Sequence, residues 1–314
     1  MNKKMLCRVA TPFKQTGELD EQSLREILQR LVNANIGVYL GNPGSGEGHA
    51  LTNRELGRIY EIGVDICKGK VPVHANPPEQ PTARDMREQM AIAVASGVDL
   101  INLYGPSGRH GYKPTEGELL AYFDDVLGNV EHAVALAPDP TTGYPAKAEI
   151  IASVCEKYPQ VRAINIGDLG EDYFLSLKGM LKRDVDLYVV SPGALRALDF
   201  GAAGILTAEA NIIPLTCRKY IELHERGNAA DELNAVYLLI KRFSHYVSKW
   251  GPANPRWIKM CMRLFKLPGG GGGVREPYLM PPAEEIQKFS AGLLRLGIPE
   301  IDELASSAGL RVHS

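Results

Sequence analysis

The sequence predicts an α/β chain: a (β/α)8 barrel followed by a C-terminal helical extension. Three observations predict it. Eight short apolar runs of β-type residues are spread between residues 6 and 206. Stretches of helical period fill the gaps between them. After about residue 226 the alternation stops and only helical period continues. Apolar strands separated by helices form a parallel sheet buried on both faces, and eight such units close into a barrel. An open doubly wound sheet is the structural alternative, but no G-x-G-x-x-G follows the first strand.

The strands are expected at residues 6–10, 36–40, 71–75, 98–103, 132–136, 161–166, 186–190 and 203–206. In the first helix, Leu24, Ile27, Leu28 and Leu31 fall at i, i+3, i+4 and i+7, a single apolar stripe. Thr52 with Glu55, and Thr115 with Glu118, read as capping boxes. Thr82 with Asp85 follows the same logic with a shorter acid. Residues 1–225 are therefore assigned to the barrel and 226–314 to a helical domain, with helices at 230–247, 255–265, 282–296 and 299–307. Five consecutive glycines at 269–273 lie in the loop before the third of these. Such a run is either mobile or pinned by packing around Val274-Arg275-Glu276-Pro277.

Composition excludes several classes of function. In 314 residues, 45% hydrophobic content is ample for a full core. A formal net charge of −2, with Lys241-Arg242 as the largest local basic group, gives no reason to expect a nucleic-acid partner. No apolar run reaches membrane-spanning length. The apolar stretch after Lys4 stops at Arg8, too early for a signal-peptide core. Five cysteines stand singly with no C-x-x-C pair, the usage of a reducing compartment, so a cytoplasmic location is expected.

Several short stretches, in order and at barrel spacing, carry a resemblance. They are Ala10-Thr11-Pro12-Phe13, Gly44-Ser45-Gly46-Glu47-Gly48, Tyr112-Lys113-Pro114-Thr115, the run from Gly204 to Asn211 with Pro214, and Ile258-Lys259 leading to Val274-Arg275-Glu276-Pro277. Together they resemble the pyruvate-type aldolase family that contains dihydrodipicolinate synthase and N-acetylneuraminate lyase. The resemblance implies a small carboxylate substrate, no cofactor, and a homo-oligomer, dimer or tetramer. It implies that an aromatic near Tyr104 or Tyr112 reaches a neighbouring subunit's site. It also implies that the turn at Gly44, Ser45 and Gly46 binds a carboxylate. Backbone N–H groups there suit a small anion, although Pro43 removes one donor. A tight strand-to-helix turn without a ligand is the alternative.

Two departures bear on the chemistry. The family's Schiff-base lysine aligns best with Asn165, whose amide cannot form an imine. The family's relay tyrosine has no counterpart in Ala137-Pro138-Asp139-Pro140, and Tyr144 follows only after the turn. A lyase of aldolase or hydratase type that works on a small 2-oxo acid or sugar acid without an imine is therefore expected. A non-catalytic binding member, and an imine aldolase with a displaced lysine such as Lys113, remain alternatives. Chemistry in such barrels sits at the C-terminal ends of the strands. Polar residues there include His74, Asn76, Tyr104, Asp139, Asp168, Ser191, Thr207 and Glu209. Glu47 is a candidate general base, and His110 a candidate acid beside Arg109, whose guanidinium suits a carboxylate. Thr207 and Glu209 are candidate substrate ligands. His74, Asp139 and Glu209 are the weak candidates for a divalent metal, with no local spacing to support them.

Overall fold

The structure, a computed structural model, describes residues 4–108, 111–167, 169–190, 194–251 and 254–310. Eight parallel strands close into a barrel in sequence order. They are β1 (Lys4–Arg8), β2 (Gly37–Leu40), β3 (Val73–Ala75), β4 (Leu100–Tyr104), β5 (Val134–Ala137), β6 (Val161–Gly167), β7 (Asp186–Val190) and β8 (Gly204–Thr207). The helices that follow them are α1 (Glu21–Asn33), α2 (Asn53–Cys67), α3 (Ala83–Ser96), α4 (Glu116–Leu127), α5 (Ala148–Lys157), α6 (Gly170–Met180), α7 (Ala194–Asp199) and α8 (Pro214–Arg226). Both predicted capping boxes form, and the Thr82 hydroxyl accepts the N–H of Asp85 at 3.2 Å.

Strand edges differ from expectation for local reasons. β1 begins at Lys4 because Lys4–Cys7 pair in register with Gly204–Thr207. It ends at Arg8, since Ala10 gives its N–H to the Asn211 side chain at 3.0 Å rather than to a strand. β3 starts after Pro72, which has no N–H for the ladder. Alternation along each strand sorts side chains inward and outward. Met5 and Cys7 join the large core between sheet and helices, whereas Leu6 turns into the barrel with Tyr39, Leu100, Ala135, Ala163, Tyr188 and Leu206. Small residues on β5 and β6 leave room inside for the tyrosines.

After α8 come α9 (Ala230–Ser248), α10 (Pro255–Leu264), α11 (Ala283–Leu293) and α12 (Pro299–Ser307). No helix among the described residues is long and apolar enough to cross a membrane. The glycine run is pinned. Arg263 donates to the carbonyls of Gly270 at 3.1 Å and Gly272 at 2.8 Å, and Lys259 Nζ donates to that of Gly273 at 2.7 Å. At Gly272 the backbone passes so close to Phe13 that a Cβ would sit 1.7 Å from its carbonyl oxygen.

Candidate active site

A cavity of about 140 Å3 opens at the C-terminal end of the barrel. Arg8, Tyr39, Gly44, Asn76, Tyr104, Asp139 and Asn165 are among its lining residues. Each projects from the end of a strand or from the loop directly after it, where backbone alternation aims a side chain inward.

Asn165, 4% exposed, belongs to a network of polar side chains. Its Nδ2 donates to Asn102 Oδ1 at 2.7 Å and to the Tyr39 hydroxyl at 3.2 Å. Asn102 Nδ2 donates to Asn76 Oδ1 at 3.0 Å, and Asn76 Nδ2 to the Tyr104 hydroxyl at 3.2 Å. The Tyr104 and Tyr39 phenols are the two ends of this line of bonds and influence each other electrostatically. Burial raises both phenols well above their usual range, so both keep their protons and serve as donors. Asn165 spends both amide hydrogens in the network, and its Oδ1 has no partner among the described residues. A buried acceptor left so costs about 1–3 kcal/mol.

Among the cavity-lining residues Arg8 carries a second unmet polar atom: its Nε is buried with no hydrogen-bond partner. Among the described residues no carboxylate lies within ion-pair distance of its guanidinium. Asp139 stands at the β5 end, its Oδ1 accepting the Thr141 N–H at 2.9 Å. Its Oδ2 leans over the end of β6, where a Cβ at Gly167 would stand 2.8 Å away. Neither Arg8 nor Asn102 was expected at the site, although strand alternation places Arg8 on the face of Leu6, and Asn102 on that of Leu100.

Other expectations change. Glu47 is fully buried and engaged on both oxygens. Oε1 accepts from Lys259 Nζ, and Oε2 accepts the Arg275 N–H at 2.7 Å. Glu47 sits in the left-handed region at φ 53°, and these bonds tie it to α10 and to the Arg275 backbone. Around it the turn spends its donors internally. Gly46 N–H goes to Asn42 Oδ1 at 3.1 Å, Glu47 N–H to the Gly44 carbonyl at 2.9 Å, and Gly48 N–H to the Asn42 carbonyl at 3.0 Å. Ser45 is fully buried, and neither it nor Gly46 lines the cavity.

Thr207 and Glu209 also serve the fold. Thr207 Oγ1 donates to Glu209 Oε2 at 2.6 Å, and Ser244 of α9 donates to Oε1. His74 lies inside the barrel, edge-on to Tyr188 with ring centroids 6.1 Å apart. Burial drives its pKa down to about 3. No three acidic, histidine or cysteine side chains among the described residues stand close enough to hold a metal ion, so the structure does not bring His74, Asp139 and Glu209 together.

Arg109, His110, Asp168 and Ser191 lie outside the described residues. Tyr104 lines this chain's own cavity, while Tyr112 is exposed. The Tyr144 hydroxyl donates to the Pro106 carbonyl at 2.9 Å and does not line the cavity. Among the described residues no lysine lines it either. Lys113 is exposed, Lys147 pairs with Glu116 at 2.6 Å, Lys157 pairs with Asp124 at 2.8 Å, and the buried Lys259 is held by Glu47.

Comparison with known proteins adds to this geometry. The sequence pattern of the dihydrodipicolinate synthetase family matches residues 1–295. The chain is 25% identical over 297 residues to an uncharacterized DapA-like lyase of Rhizobium meliloti, covering 92% of this chain and 94% of that one. It is 31% identical over 241 residues to a 4-hydroxy-tetrahydrodipicolinate synthase of Macrococcus caseolyticus, covering 75% and 79%. A crystal structure of dihydrodipicolinate synthase from Aquifex aeolicus superimposes with a TM-score of 0.84 at 18% identity, covering 95% and 99%, a likeness of fold.

Proposed function

The chain belongs to the dihydrodipicolinate synthetase family, and from that premise we propose a lyase of aldolase or hydratase type whose substrate is a small 2-oxo acid or sugar acid and whose reaction uses no lysine imine. One observation carries the reading: Asn165 spends both amide hydrogens on a network of amides and phenols, and among the described residues no amine lines the cavity beside it. An imine serves as an electron sink because it is readily protonated. Without it, the electron pair released when a C–C or C–O bond breaks must rest on an oxygen or carbon of the substrate itself. Fixed hydrogen-bond donors in a dry site stabilise such charge strongly. Tyr39 and Tyr104 are neutral donors of that kind.

Asp139 is the candidate base. In a retro-aldol step it takes the proton of the substrate hydroxyl. The C–C bond breaks, its electron pair moves to the enolate oxygen, and a phenol donates to that oxygen. In a dehydration it takes a proton from carbon, a C=C bond forms, and hydroxide leaves with a proton from a donor. The proposal includes a homo-oligomer and a cytoplasmic location. Five buried, unpaired cysteines support the latter.

The test is incubation with pyruvate and borohydride beside a screen for cleavage and dehydration of short oxo and hydroxy acids. We expect turnover of a member of this class and no trapped adduct. A reduced pyruvate adduct on any lysine would overturn the reading, and so would the absence of turnover across the panel.

A further inference from the structure

We propose that Arg8 and Asn165 together recognise a short hydroxylated carboxylic acid, Arg8 taking the carboxylate and Asn165 Oδ1 the hydroxyl hydrogen. The inference rests on the imine-free reading of the cavity and chooses between its two substrate classes: the sugar acids, which carry a hydroxyl beside the carboxylate, over the 2-oxo acids.

The two residues line one cavity and hold complementary unmet valences, each on an atom that its surroundings shield from water and that a ligand reaches by a small side-chain shift. Arg8 offers a cation whose buried Nε has no partner, and Asn165 offers a buried acceptor with none. A ligand that satisfies both must bring an anion and a donor. A carboxylate is planar and accepts two parallel bonds from a guanidinium. A hydroxyl on the adjoining carbon supplies the donor. The carbonyl of a 2-oxo acid cannot, since it only accepts.

The turn after β2 is a poorer anion site than the sequence suggests, because the N–H groups of Gly46, Glu47 and Gly48 are already bonded. Asp139 lines the same cavity and repels a carboxylate, so the ligand's charged end is directed to Arg8. Size sets a further limit. By the roughly 10–15 Å3 of probe space that one water needs, the cavity has room for a short acid. Its volume is about 140 Å3.

Calorimetric titration of the full chain tests this with lactate and glycerate as probes, propionate lacking the hydroxyl, and lactamide lacking the charge. Lactate and glycerate should bind, propionate at least tenfold more weakly, and lactamide not measurably. Arg8→Gln should weaken lactate at least tenfold, with Arg8→Lys in between, since an ammonium keeps the charge without the fork. Asn165→Val should bind lactate and propionate alike. Circular dichroism establishes that each variant is folded. The proposal fails if folded Arg8→Gln binds lactate as tightly as the parent, if the parent binds lactate and propionate equally, or if neither hydroxy acid binds. Binding with the expected pattern but no turnover sinks the lyase reading alone. Turnover with an Arg8→Gln affinity unchanged sinks this inference alone.

Discussion

Asn165 illustrates what one residue decides here. A lysine at its position would break two network bonds, of net worth about 0.5–1.5 kcal/mol each, and place an amine beside two protonated phenols. The asparagine is thus integrated with Asn76, Asn102, Tyr39 and Tyr104 rather than being a bare deletion of the amine. His74 is a further polar residue inside the barrel, and it has a measurable consequence. Burial, followed by the charge of Lys4, lowers its pKa from 6.5 to about 3. Between those values the unfolded chain binds a proton that the folded chain refuses. Stability therefore rises with pH across this window, and the contribution is lost as pH falls from 6.5 toward 3. One such proton gives a slope of about 1.4 kcal/mol per pH unit. Urea unfolding measured between pH 4 and pH 5.5 should give the parent a slope greater by about that amount than His74→Phe, which keeps an aromatic ring against Tyr188. Equal pH dependence in the two proteins would refute the assignment. Legibility from sequence is uneven at this scale. The departure at Asn165 is visible against the family pattern, and the inward face of Arg8 follows from alternation with Leu6. The network is not legible, because its members come from four strands whose relative register only the closed barrel fixes.

Elements were more legible than contacts between them. Periodicity and capping signals locate helices because they are local: Thr52 and Thr115 cap as their spacing requires. Strand ends were less legible, since pairing partners decide them, as Lys4 with Gly204 shows. The turn from Pro43 to Gly48 reads as an anion site in sequence, whereas in three dimensions α10 supplies its ligand. Lys259, 1% exposed, puts its ammonium on Glu47 and on the Gly273 carbonyl, 4.4 Å over the Phe13 ring. Sequence could not reveal this pair, whose members are 212 positions apart. Removing one partner of a buried pair strands the other charge, at about 3–5 kcal/mol. Lys259→Met should therefore lower the urea-derived stability by roughly that amount. Adding Glu47→Gln to it should cost less than the sum of the two single changes, because no stranded charge is left. Strict additivity in that double-mutant cycle would show that the pair does not couple the turn to α10.

At the scale of the molecule, the question is whether the helices after residue 226 unfold apart from the barrel. Bonds between the two run through several separate points. Lys259 meets Glu47, Ser244 meets Glu209, and Arg275 Nη1 reaches Glu55 at 2.9 Å. Arg275 also donates to the Gly17 carbonyl at 2.7 Å. On the far side, Glu300 of α12 accepts the N–H of Thr216 at 2.7 Å and that of Leu215 at 3.1 Å, capping the first turn of α8. Losing the C-terminal helices would strip Glu47, Glu209 and the α8 N-terminus of these partners and uncover the apolar surface packed beneath them. That cost falls on the barrel, so the two parts should unfold together. Both tryptophans, Trp250 and Trp257, lie in the C-terminal part, whereas the far-UV circular dichroism signal comes from every helix and strand. Urea transitions followed by tryptophan fluorescence and by circular dichroism should therefore superimpose, as two-state behaviour requires. In Lys259→Met the main tie between α10 and the barrel is gone, and the fluorescence midpoint should fall below that of circular dichroism. If the parent protein already shows the earlier fluorescence transition, residues 226–314 are an independent unit and the bonds to Glu47, Glu55 and Glu209 do not couple them to the barrel.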